Sequence, residues 1–163
     1  IFRHPHIYGE YKANNAQEVS EMWEQVKLKE KGGNKTVLAG IPESLPALVK
    51  AYRIQDKVAN VGFDWEKRED VWAKVKEEIA EFEVEVDHMD EAKATEEMGD
   101  LIFALVNAAR LYNIRPDNAL EKTNAKFIKR FNYIEQKAKE KGQSLNEMTL
   151  DEMEALWQEA KKA

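Results

Sequence analysis

Cysteine is absent from the 163 residues. Disulfides and thiolate metal sites are thereby excluded, and a reducing cytoplasm is the expected compartment. Only four prolines and seven glycines interrupt the chain, which leaves long segments for regular structure. No apolar run reaches the length of a membrane span. Basic residues are outnumbered, 25 against 31 acids, and the net charge of −6 argues against a nucleic-acid duplex or an anionic membrane as the main partner. A di-iron bundle needs two Glu-x-x-His pairs, and Glu85/His88 is the only one. No aspartate-rich calcium loop of EF-hand form occurs, and His4 and His6 suit a turn better than a metal. The opening at Ile1, without methionine, suggests a piece of a longer protein.

The most informative shortage is local. From Glu77 to Asp100 there are eleven acids (77, 78, 81, 83, 85, 87, 90, 91, 96, 97, 100) and one lysine, Lys93.

The rest of the composition is globular, with 43% hydrophobic and 34% charged residues. The apolar period is near 3.6 throughout, so an all-α helical bundle is predicted. A first helix is expected at about 15–30, broken by Lys31-Gly-Gly-Asn34. Ser44 is the expected N-cap of the second, with Pro46 in its first turn. Asp64 is the expected cap of a third helix ending near Asp87, with Val71, Val75, Ile79, Phe82 and Val86 on its stripe. A fourth runs from about Glu91 to Tyr112; it is apolar all round from Leu101 to Val106, which predicts a central, buried position. Pro116 opens a fifth helix that ends near Gly142, and Thr149-Leu-Asp-Glu152 reads as a capping box for a short last one.

Glu78 and Glu81 share a helix face, and Glu97 and Asp100 repeat that spacing on the next helix. A short connection makes the two helices antiparallel neighbours, so the four carboxylates can converge. Glu78 falls within the apolar stripe, and Asp100 follows Gly99, which admits another backbone or a ligand. A solvated acidic face would carry lysines four residues after its glutamates; instead Glu77/Glu81, Glu81/Glu85 and Glu96/Asp100 are like-charge pairs. Semi-buried carboxylates need cations or protons. Hard oxygen donors without cysteine point to Mg²⁺ or Mn²⁺, against the bland reading of an acidic surface.

The order EExxE, fifteen residues, ExxD resembles the signature of MazG-type all-α nucleoside triphosphate pyrophosphohydrolases, with Glu77, Glu78, Glu81, Glu97 and Asp100 in register. Val37–Leu48, Val61-Gly-Phe-Asp-Trp65, residues 96–110 and residues 124–131 are similar to that family's C-terminal catalytic domain, and residues 2–10 resemble the seam before it. The resemblance implies residues 1–35 as a lead-in segment with one helix, joined to a missing N-terminal domain, and 36–163 as the catalytic domain. It implies hydrolysis of a nucleoside triphosphate to monophosphate and pyrophosphate, a Mg²⁺ requirement, and a homodimer with the site near the subunit interface. Glu78, Glu81, Glu97 and Asp100 are the expected metal ligands, and Glu77 is the expected general base, with a plain surface glutamate as its rival.

Lys126 and Arg130, i,i+4 on the fifth helix, can reach the same way toward phosphates. The resemblance implies substrate contact for both, for Lys27, and for Trp157 as a base-stacking ring, whereas a core or interface tryptophan is the usual alternative. Asn107, polar within an apolar helix, must find a partner: another helix, or the sugar or base. Two rivals remain: a narrow pyrophosphatase for one (d)NTP or phosphoribosyl-ATP, and a non-catalytic helical interaction module.

Overall fold

A computed structural model describes residues 36–162. Among them stand five α-helices and no strand: α1 (Ala47–Ala59), α2 (Val71–Asp87), α3 (Glu91–Leu111), α4 (Pro116–Glu140) and α5 (Leu150–Ala160). The all-α reading holds. The helix expected at 15–30, and Lys27 on it, lie outside the described residues.

The chain divides into two compact units, ending and beginning at Pro116 and Asp117. In the first, α2 and α3 are joined only by His88, Met89 and Asp90, which forces them antiparallel. Val71 and Val75 of α2 meet Ala104 and Ala108 of α3, with Leu101 and Leu111 packed alongside. The two alanines let the helix backbones approach closely. α1 is tied to α3 by the Gln55 side chain, whose Nε2 donates to the Phe103 carbonyl oxygen at 2.8 Å. In the second unit Ile134, Ala138, Met148 and Leu156 form the core, backed by Phe131, Leu145, Met153 and Trp157.

The helix ends differ from expectation at two places. α1 begins one residue after Pro46, which occupies the N-cap position with no side-chain cap, so Ser44 does not cap it. α2 begins at Val71, after a 3₁₀ turn at Arg68–Asp70, because Asp64 is engaged elsewhere, in an ion pair with Arg110. The Thr149/Glu152 capping box forms as read, and Asp90 caps α3 by accepting from the Lys93 N–H at 3.1 Å.

The stretch Leu101–Val106 is not buried all round. Ala104 and Val106 are buried, but Ile102, Phe103 and Leu105 are exposed. One side of α3 faces α2 and another meets α1, and among the described residues Ile102, Phe103 and Leu105 stay partly open to solvent.

Candidate active site

Helical spacing turns the α2–α3 contact from apolar to acidic. Along α2 the inward positions run Val71, Val75, Glu78; along antiparallel α3 they run Ala108, Ala104, Asp100, Glu97. The valines therefore meet the alanines, and one turn further on carboxylates meet carboxylates. Glu78 is 5% exposed, an ionisable group placed where a hydrophobe would stand. Glu97 is half-buried, whereas Glu77, Glu81 and Asp100 are exposed, so Asp100 does not share the burial its place beside the apolar run suggested.

Two overlapping carboxylate groups result. Glu78, Glu97 and Asp100 each offer an oxygen within 4.8 Å of the others, as do Glu77, Glu78 and Glu81. Glu78 is the shared member. The four acids expected to converge are thus brought together as two sets hinged on Glu78. Such all-oxygen sets fit a hard divalent cation, and the acidic cluster can hold a metal ion.

Lys74, one turn before Glu78, supplies the cluster's own counter-charge. Its Nζ lies 2.6 Å from Glu77 Oε1 and 2.7 Å from Glu78 Oε1. Across the cluster, burial first, and then the charges of Glu81, Asp100, Glu78 and Glu85, hold the Glu97 carboxyl above the ordinary carboxylate range. Gly99, next to Asp100, faces open space: a Cβ there would meet nothing within 4 Å, so no neighbour among the described residues requires the glycine.

A cavity of about 620 Å³ adjoins the acids, between α1, α3 and the loop after α1. Glu78, Asp100 and Lys74 line it, together with Asn107, Phe63 and Trp65. The loop is aimed by Gly62, whose φ of +91° ends α1 in a left-handed turn, closed by Phe63 N–H to the Val58 carbonyl at 3.0 Å. Asp64 then pairs with Arg110, and Arg110 Nε and Nη2 donate to Asn107 Oδ1 at 3.1 and 2.9 Å. Asn107 thus finds its partner within its own helix, while also facing the cavity.

The remaining expected substrate contacts belong to the second unit. Arg130 lies over the Trp157 ring at 5.4 Å, and Phe127 packs on the same ring at 5.0 Å. Lys126 is exposed on α4. Trp157 is half-buried against the core there.

Gln55, Lys74 and the Asp64–Arg110 pair were not singled out by sequence reasoning as site residues. Gln55 stands within the apolar stripe of α1, between Tyr52 and Val58 at helical spacing, the signal that singled out Asn107. Asp64 and Arg110 are 46 residues apart, and nothing local links them.

The described residues thus set a carboxylate cluster, shared by two antiparallel helices, at the wall of a cavity. Residues 66–134 match the model of the MazG nucleotide pyrophosphohydrolase domain. The chain is 43% identical over 164 residues to the nucleoside triphosphate pyrophosphohydrolase of Escherichia coli K12, covering 98% of this chain and 62% of that protein. It is 36% identical over 162 residues to the nucleoside triphosphate pyrophosphohydrolase/pyrophosphatase MazG of Thermotoga maritima, covering 99% and 61%. It is also 48% identical over 166 residues to the protein YabN of Bacillus subtilis, 34% of whose length is covered. The chain carries a MazG-family domain, and it spans less than two thirds of the length of these curated relatives.

Proposed function

We propose that this chain hydrolyses nucleoside triphosphates to nucleoside monophosphate and pyrophosphate with the aid of Mg²⁺, Mn²⁺ serving as a substitute. The observation that carries the reading is the buried Glu78, within 4.8 Å of Glu97 and Asp100 from the facing helix, at the wall of a cavity large enough for a nucleotide. Two relatives carry this activity in their names, and the family domain spans the acidic motif.

Glu78, Glu81, Glu97 and Asp100 would hold the ion. A divalent cation bound there supplies Lewis acidity and offsets the charge of the polyphosphate. Glu77, exposed and next to Glu78, takes the proton of the attacking water as general base. Lys126 and Arg130, with Lys27, bind phosphate oxygens, Trp157 stacks on the base, and Asn107 contacts the nucleoside.

Residues 36–163 act as the catalytic domain, and 1–35 form its lead-in segment. A second copy of the chain covers the exposed apolar side of α3, giving a homodimer. No helix among the described residues is long and apolar enough to cross a membrane. Incubation with each nucleoside triphosphate and Mg²⁺ should release pyrophosphate and monophosphate. Release of orthophosphate alone, or no turnover of any nucleotide, would refute the reading.

A further inference from the structure

We infer that Gln55 and Asn107 together read the edge of the nucleobase in the cavity beside the acids; this rests on the nucleotide reading above and gives it a recognition site. Both side chains are amides, and the protein fixes the orientation of each. Gln55 donates Nε2–H to the Phe103 carbonyl at 2.8 Å, and a flipped amide would set two oxygens against each other. Its Oε1 is the end left over, enclosed and without a hydrogen-bond partner among the described residues, on a side chain 4% exposed. A buried acceptor left unmet costs about 1–3 kcal/mol, which a ligand donor recovers.

Asn107 is the converse. Its Oδ1 accepts from Arg110 Nε and Nη2, and Arg110 is gripped in turn by both oxygens of Asp64. A flip would press an NH₂ group against a guanidinium. The end left for the cavity is Nδ2, a donor. Arg110 is therefore a positioning residue, and Gln55 and Asn107, which both line the cavity, are left with one unmet acceptor on α1 and one donor on α3.

Every common base carries an adjacent donor and acceptor on its Watson–Crick edge, so this pair grips a base without choosing among the four. Seven residues of helix separate Asp100 from Asn107, about 10 Å along the axis. That leaves room for a sugar between phosphates at the acids and a base at the amides.

Asn107→Asp keeps an oxygen on Arg110 and turns the presented donor into a second acceptor. Guanine alone of the common bases offers two adjacent donors, N1–H and N2–H₂. The variant should raise the kcat/KM ratio of GTP to UTP roughly tenfold above that of the wild type; an unchanged ratio overturns the inference. Gln55 is tested in the wild-type chain, with no variant to fold. Purine riboside triphosphate, which lacks the amino donor of adenine, should show kcat/KM roughly tenfold below that of ATP, and equal turnover overturns the assignment. A wild-type chain that releases pyrophosphate from no triphosphate refutes the underlying activity instead, an outcome distinct from unchanged ratios in an active enzyme.

Discussion

Lys74 Nζ bridges Glu77 and Glu78, the two acids that open the EExxE motif, at 2.6 and 2.7 Å. The Glu78 side chain at this contact is 6% exposed, so the ammonium compensates its buried charge. The hydrogen bond to Glu77, and next that to Glu78, holds the Lys74 ammonium above the usual lysine range. A divalent cation at Glu78 would compete with it for the same carboxylate.

Replacing Lys74 by Met should therefore cost more stability in EDTA than in saturating Mg²⁺. The metal-free loss is expected at about 1 kcal/mol, since a buried carboxylate loses its partner while the lysine head itself is largely in water. Urea unfolding under the two conditions measures this, and equal losses would contradict the account.

Glu97 makes stability depend on pH. A carboxyl whose folded pKa lies above its unfolded value binds more protons in the folded chain. Stability then falls as pH rises from the unfolded pKa through the folded one, and stays lower above it. Without divalent cations, Glu97→Gln should raise the melting temperature at pH 7. At pH 3, where the acid is protonated in both states, the two proteins should melt alike. A neutral or lower melting temperature at pH 7 would remove the carboxylate crowding from the argument.

Gly99 has open space where a Cβ would stand. Gly99→Ala should stabilise the isolated chain by about 1 kcal/mol through helix propensity alone. If a ligand or partner approaches this turn of α3, the same change lowers kcat/KM; if activity is kept, the glycine has no such role.

Met98, Ile102 and Leu105 lie exposed at i, i+4 and i+7 on α3. A charge there, as in Ile102→Glu, should leave the fold intact and convert a dimer to monomer in sedimentation velocity. A wild-type chain that sediments as a monomer at micromolar concentration would remove the second copy from the proposal.

The helices were legible because their apolar period is strong and their breaks are few; α3 and α4 fall within a residue or two of the spans read from sequence, whereas α2 ends as read but starts at Val71, several residues after the expected Asp64 cap. The acidic pairing was legible as well, because i,i+3 spacing on each of two short-linked helices leaves few ways to arrange the side chains. What could not be read was non-local. Asp64 looked like a helix cap because nothing in the chain announces an arginine 46 residues on. The run Leu101–Val106 looked buried because apolar content does not say which side of a helix lacks a neighbour. Gln55 was legible in principle by the reasoning applied to Asn107, but its unmet oxygen appears only once α1 is laid against α3.

The most direct test follows products in the wild type and in Glu78→Gln, a change that keeps shape and removes one charge. With ATP and Mg²⁺ the wild type should yield AMP and pyrophosphate in equal amounts. The variant, folded by circular dichroism, should lose at least about a hundredfold in kcat/KM, about 2.7 kcal/mol of transition-state stabilisation. A folded Glu78→Gln that releases pyrophosphate at the wild-type rate would contradict the account.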